Sequence, residues 1–392
     1  MNIIGIVGGL VLAAFYIGAA LYMGVRLFKW FAYMFPRISK AAFIAVFIVL
    51  AALALVSLVP MAFSVMLGYG IRMIGGYLTG FFMYLFMFFV LADVAVAVFK
   101  KISRPICIKT IRFYAGAAAV FLALLVTAYG VYNAAQITIV THELQLRRCP
   151  GGEINIVVIS DLHLGEVHSE RGLERLAAYI NGLSPDIVCI VGDIFNDDFY
   201  AIRNPERASR LLGSIDATFG VFACLGNHDT GPTIGSMMNF LEETGIVLLN
   251  DEHVIIDNRL VLIGRLDGLY PWMYGGVLGG MRRGDFDDIM YRVQADLLYR
   301  GLPADLPVVV MDHNPAHINE YGCGVDLALF GHSHGGGLFP ITLVTRAMYV
   351  IDRGHFQRDD YSPHIVVTQG VHGWSIPMRV GSRNEIVRIT AR

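Results

Sequence analysis

The sequence predicts two unlike parts: a bundle of four apolar helices suited to a bilayer, then a layered α/β domain containing parallel sheet. Three observations predict this. The first third of the chain holds long stretches almost free of charge. The remainder alternates short Val- and Ile-rich runs with helical spacings, the pattern of strand and helix in turn. Charge divides as well: residues 1–135 carry ten Lys and Arg against Asp93 alone, a net +9, which leaves −11 on residues 136–392 of a chain totalling −2.

Residues 1–25, 41–71 and 113–141 contain no charged side chain, and 73–99 contain only Asp93. Crossing a bilayer takes roughly 20 apolar residues. Transmembrane helices are therefore expected near 3–25, 42–64, 75–98 and 113–134. The first stretch has no basic start and outruns the roughly 7–15-residue core of a cleaved signal peptide. Arg26, Lys29, Arg37 and Lys40 fall between the first two helices; Lys100, Lys101, Arg104, Lys109 and Arg112 fall between the last two. The middle connection has only Arg72. Positive loops stay in the cytoplasm. The expectation is a multi-pass inner-membrane protein with both termini, and all that follows the fourth helix, extracytoplasmic. Asp93, seven residues before Lys100, reads as a packing or interfacial carboxylate rather than a proton relay.

Beyond the membrane part, residues 136–146 read as a strand and 147–153 as a turn. The apolar run Ile154–Ile159 stops at Ser160-Asp161-Leu162-His163-Leu164-Gly165. Residues 169–182 have helical spacing. The strand 186–191 ends in Gly192-Asp193, and, after a helix at 205–215, the strand 221–225 ends in Gly226-Asn227-His228-Asp229. Past residue 245 the chain is strand-rich, with a helical stretch at 286–300. Leu306–Met311 ends at Asp312-His313, and Val325–Phe330 ends in Gly331-His332-Ser333-His334-Gly335-Gly336. Two further strands, HIVVTQG and EIVRIT, close the chain. Carboxylates and imidazoles thus recur at carboxyl ends of strands, where open α/β sheets bind ligands. Mixed oxygen and nitrogen donors suit a divalent transition metal. The acidic balance argues against a nucleic-acid partner. The five cysteines form no C-x-x-C pair; Cys189 and Cys224 sit inside strand runs as core residues.

Taken together, D-x-H, G-D, G-N-H-D, H and G-H-x-H over roughly 154–334 resemble the calcineurin-like metallophosphoesterases. The tail, with Gly370, Pro377-Met378-Arg379 and Glu385-Ile386, resembles the membrane-associated YkuE-type branch. The resemblance implies a four-layer α/β sandwich with mixed β-sheets over residues 136–392, behind a transmembrane domain at 1–135. It implies two divalent ions, one held by Asp161, His163, Asp193 and His334, the other by Asp193, Asn227, His313 and His332, with Asp193 bridging. Manganese is the first expectation; zinc, iron or cobalt suit the same donors. Two such ions clamp phosphoryl oxygens and lower the pKa of a bound water toward 7, which supplies hydroxide. His228 is implied as general acid, with Asp229 either orienting it or serving as a turn carboxylate. Asp267 is a candidate behind the ligands. Arg282 and Arg283, in a glycine-rich loop, either grip a substrate phosphate or are solvated. His168, His317, His355 and His372 have no partner at ligand spacing, and Asp312 and His372 depart from the branch pattern.

The implied function is hydrolysis of a phosphodiester, phosphomonoester or pyrophosphate bond in a lipid-linked or envelope substrate, with membrane lipids as partners. The alternative is a non-catalytic sensor or binding module on the same fold. Relatives acting on lipid precursors such as UDP-diacylglucosamine point to a pyrophosphate, yet that substrate needs a cytoplasmic site, against the charge bias. Oligomeric state is not legible.

Overall fold

The computed structural model describes residues 3–57, 68–102, 108–149, 151–165, 168, 170–267, 292–374 and 376–392. The chain forms two compact units, one of residues 1–132 with 375–378, the other of 133–374 with 379–392.

The first unit is helical: α1 (Ile3–Met34), α2 (Lys40–Val56), α3 (Gly68–Ile102) and α4 (Ile108–Ala134). Val7–Met34, Gly70–Lys101 and Thr110–Ala134 are long and apolar enough to cross a membrane; Lys40–Leu55 is shorter. Four spans were expected, and the second ran through residues 58–64, which lie outside the described residues. α1 also runs past its expected end at residue 25, so Arg26 and Lys29 are helical rather than in a loop. Nothing before Pro36 interrupts a helix there. Ser39 caps α2, its Oγ accepting from the Ala42 N–H at 3.3 Å. α2 and α3 pack tightly: a Cβ on Gly75 would strike the Leu53 carbonyl, and Thr79 donates to Ala54 O at 2.7 Å. Small residues and buried hydroxyl bonds hold helices together where water is absent.

The second unit contains two six-stranded sheets. The first has the order β1 (Ile137–Leu144), β12 (Asn384–Ala391), β2 (Ile154–Ile159), β3 (Ile187–Val191), β4 (Val221–Cys224), β5 (Val247–Leu248). The second runs β10 (Gly354–Phe356), β11 (His364–Val367), β9 (Leu327–Phe330), β8 (Val308–Met311), β7 (Leu260–Gly264), β6 (Glu252–Ile256). Both are mixed. β12 is antiparallel to β2, β6 to β7 and β10 to β11; the other pairs are parallel.

Parallel strands are covered on both faces, so they read as unbroken apolar runs. In β2 every residue is buried, and alternate side chains serve different cores. Ile156 and Val158 join Cys189, Leu262, Val309 and Leu329 between the sheets. Val157 and Ile159 pack outward with Leu176 of α5 (Glu170–Asn181), Leu212 of α6 (Pro205–Leu212) and Phe240 of α7 (Ile234–Thr244). The far face of the second sheet packs Val310 and Phe330 on Ile318, Tyr321 and Leu298 of α8 (Ala295–Leu298). Of the helix expected at 286–300, residues 286–291 lie outside the described residues, and within 292–300 the helix is Ala295–Leu298. A further helix, α9 (Ile341–Met348), has no counterpart in the sequence reading.

Candidate metal centre

The turns after β2, β3, β4, β8 and β9 converge. Asp161, His163 and His334 form one group and Asp193, His313 and His332 a second, with the donor atoms of each within 4.8 Å of one another. His334 Nε2 is 3.4 Å from Asp161 Oδ1 and 3.2 Å from His163 Nε2. Asp193 Oδ2 lies 3.2 Å from His313 Nε2 and 3.7 Å from His163 Nε2, so a single carboxylate oxygen borders both groups. Asn227 Oδ1 is 2.7 Å from His332 Nδ1. All seven side chains expected to bind metal are therefore in one place.

The backbone is bent to put them there. Asp161, His163, Asp193, His332 and His334 have φ of 55°, 44°, 52°, 65° and 50°. Such a left-handed conformation costs a non-glycine residue about 1–3 kcal/mol and gathers at functional sites. The surroundings hold it: Asp161 N–H donates to Gly192 O and His163 N–H to Asp193 O, both at 3.0 Å. His228 N–H donates to Asp193 Oδ1 at 2.9 Å, which aims the other oxygen at the two histidines. Gly226 is needed for close approach, since a Cβ would strike the Asp193 carboxylate and backbone.

The donor set fits two divalent cations. Asp161 Oδ1 and His313 Nε2 are buried and make no hydrogen bond, a rare and costly condition for polar atoms. His313 Nδ1 faces Val191 O at 2.8 Å and His334 Nδ1 faces His372 O at 3.2 Å, so each Nε2 keeps its lone pair for the cavity. Burial holds the His163 imidazole down at about 3 and His332 at about 4, and His334 also well below its ordinary value. Burial pushes Asp161 up to about 6. Burial opposes charge on Asp193 and His313 too, but their mutual attraction outweighs it, holding Asp193 well below and His313 well above the usual values. A divalent cation would supply the positive charge that Asp193 otherwise draws from His313. Asp161, His163, His334 and Asp193 would hold one ion, and Asp193, Asn227, His313 and His332 the other.

His228 stands beside these groups, its ring 5.1 Å from that of His163. Its Nδ1 is 2.9 Å from Asp197 Oδ1. Burial disfavours its charged form, yet Asp193 and Asp197 more than offset this and raise it to about 9. The orienting carboxylate is thus Asp197. Asp229, the candidate for that role, instead accepts the N–H groups of Phe195 at 2.7 Å and Gly226 at 2.8 Å, and so pins two site loops together. Asp197 lies 31 residues from its partner in a run, Asn196-Asp197-Asp198, with nothing to single it out. Trp374, half exposed, has its ring 5.7 Å from that of His228, and Tyr349 is 6.5 Å from His332; neither was foreseen.

The remaining candidates support rather than ligate. Buried Arg379 donates to His334 O and Gln369 O at 2.7 Å, His372 O at 2.6 Å and Asn384 Oδ1 at 2.8 Å. His372 Nδ1 is 2.9 Å from Leu162 O, and its ring stacks on His168 at 4.2 Å. Asp312 pairs with Arg292 at 2.6 Å and with Tyr321 OH at 2.5 Å, and His317 lies 3.4 Å away. Burial alone would raise Asp312, but His317 and Arg292 hold it well below the usual range. His355 faces His364 at 2.9 Å. Among the described residues, none of His168, His317, His355 and His372, read as lacking a partner at ligand spacing, belongs to either donor group. Asp267 is fully buried after β7 and favours a charged His313. Arg282 and Arg283 lie outside the described residues.

Residues 154–336 match the family model described as Calcineurin-like phosphoesterase. The chain is 28% identical over 288 residues to a zebrafish (Danio rerio) transmembrane protein with metallophosphoesterase domain, covering 69% of this chain and 62% of that one, so it spans under two thirds of that relative. It is 29% identical over 276 residues to an uncharacterized metallophosphoesterase of Aquifex aeolicus, covering 69% and 98% respectively. It is 26% identical over 265 residues to the UDP-2,3-diacylglucosamine pyrophosphatase LpxG of Chlamydia trachomatis, covering 56% and 78%.

Proposed function

We propose that this protein is a membrane-anchored dinuclear-metal phosphoesterase that hydrolyses a phosphodiester, phosphomonoester or pyrophosphate bond in a lipid-linked or envelope substrate. The observation that carries the reading is the shared oxygen, Asp193 Oδ2, between two complete donor groups. Two divalent ions at these positions would neutralise phosphoryl oxygens and lower the pKa of a water at the site. The chain supplies the rest. Asn227 adds a neutral oxygen, which limits the negative charge facing an anionic substrate. His228, kept protonated through neutral pH by Asp193 and Asp197, is positioned to give a proton to the leaving oxygen. Trp374 and Tyr349 wall the approach.

The lipid part of the reading rests on α9. Ile341, Leu343, Val344, Met348 and the flanking Phe339 and Val350 are all exposed. The inward side is polar: Thr342 is buried, and Thr345 donates to Asp352 at 2.7 Å. A helix with its apolar face outward, following directly on the turn of His334, suits a lipid surface. The Chlamydia relative's name specifies a UDP-2,3-diacylglucosamine pyrophosphatase, which favours a pyrophosphate bond among the three; an extracytoplasmic site requires a different lipid-linked pyrophosphate from that relative's substrate.

For topology, Arg26, Lys29, Lys100, Lys101 and Arg112 line one cavity, so the carboxyl ends of α1 and α3 share a side. The chain must cross back between them. α2 at 17 residues reaches about 25 Å, close to the roughly 30 Å of a hydrocarbon core. Four crossings with the basic end cytoplasmic make the α/β unit extracytoplasmic. The −11 charge of residues 136–392 argues against nucleic acid as a partner.

Turnover of an aryl phosphodiester and of a lipid-linked pyrophosphate by protein in vesicles, with Mn or Zn added, tests the reading. Metal-dependent turnover lost in Asp193→Asn supports it; a metal-replete protein inert on phosphate esters and pyrophosphates contradicts it.

A further inference from the structure

The helical unit carries a second polar feature, independent of the metal centre. Between α1, α3 and α4 lies a cavity of about 820 Å³ bordered by five cations. The charge does not balance within the unit. Asp93 is the one acidic residue of the first 135, and it is taken by Arg26 at 2.7 Å, with Tyr22 donating to it at 2.7 Å. Arg26 also lies over the Phe89 ring at 5.6 Å. Lys29, Lys100, Lys101 and Arg112 are left around one space with no carboxylate in their own unit. Like charges so gathered repel, and counter-anions relieve that repulsion. At a bilayer surface the concentrated anion is lipid phosphate.

The lining is mixed in character. Lys29, Lys100, Lys101 and Arg112 are exposed. Trp30 lines the same space, its ring stacked on Phe113 at 6.2 Å and its Nε1–H donating to Phe113 O at 3.2 Å. Gly116 leaves room for it, since a Cβ there would come within 2.9 Å of the indole. Amphipathic aromatic rings sit at headgroup depth. Val96, Ala97 and Phe89 add apolar surface to the lining. Cations, an indole and apolar side chains around one space can meet the phosphate and the glycerol–acyl part of one molecule. The positive-inside bias accounts for basic residues at this end of the helices, but not for their enclosing a volume that aromatic and apolar side chains also line. We propose that this cavity binds the phosphate-bearing headgroup of an anionic phospholipid.

The test uses the full chain, delipidated in mild detergent, with lipid retention read by native mass spectrometry. The arms are phosphatidylglycerol, phosphatidylcholine and glycerol 3-phosphate. Phosphatidylglycerol should be retained in preference to both others. The Lys100→Ala/Lys101→Ala/Arg112→Ala variant should lose it about a hundredfold. Arg37→Ala/Lys40→Ala, which removes charge outside the cavity, should retain it like wild type. Arg112→Glu, a single change at an exposed position, should reproduce the loss if the triple variant elutes as aggregate. Equal retention of the two lipids, equal loss in the control variant, or glycerol 3-phosphate binding as tightly as phosphatidylglycerol would each overturn the proposal.

Discussion

Asp197 and Asp229 separate two uses of a buried carboxylate that sequence cannot distinguish. Asp197 touches His228; Asp229 touches only backbone N–H groups. Replacing His228 with Ala should lower kcat about 10²–10⁴-fold, the usual worth of a general acid. Asp197→Ala should lower kcat by less, with little effect on melting temperature. Asp229→Ala strands the buried N–H groups of Phe195 and Gly226, at about 1–3 kcal/mol each. Its principal effect should be a lower melting temperature. Steady-state kinetics and calorimetry on the three variants check this; equal kinetic and thermal effects for Asp197→Ala and Asp229→Ala would remove the distinction.

At the scale of elements, the site is a set of strand ends tied down from behind by the tail. Arg379 joins the turn of His334 to Gln369, His372 and Asn384. Arg379→Ala should destabilise the domain by several kcal/mol, since bonds to a buried charged group contribute about 1.5–3 kcal/mol each. Arg379→Lys should not rescue it, because an ammonium cannot span the same carbonyls. Denaturant melts with bound-metal analysis test both statements. Strands β2, β3, β4, β8 and β9 were legible because buried parallel strands are apolar throughout. Each halts at a residue that must leave the ladder, so Asp161, His163, Asp193, Asn227, His313, His332 and His334 were legible with them. α9 was not, because its apolar face points outward and its threonines inward, the reverse of the usual pattern. The end of α1 is not legible from charge, because Arg26 and Lys29 continue the helix and no helix breaker precedes Pro36. The Asp197–His228 pair, the stack of His168 on His372 and the salt bridge of Asp312 depend on residues distant in sequence, and local pattern carries no trace of them.

For the whole molecule, sidedness is the open property, and the cysteines read it directly. Cys149 and Cys323 are exposed on the α/β unit, whereas burial pushes the thiols of Cys189 and Cys224 well above their ordinary value, so they stay protonated and shielded. In cells with a permeable outer layer and sealed inner membrane, an impermeant maleimide should label Cys149 and Cys323 and spare Cys189 and Cys224. Labelling of Cys149 and Cys323 only after lysis would place the unit in the cytoplasm and remove the four-crossing topology. The central claim, a paired cation site sharing Asp193, is tested most directly by counting metal. Purified wild-type protein loaded with Mn or Zn and desalted should carry two ions per chain by elemental analysis, and Asp193→Asn should fall to one or none. Wild-type protein that never exceeds one ion, or an Asp193→Asn variant that still holds two, would contradict it.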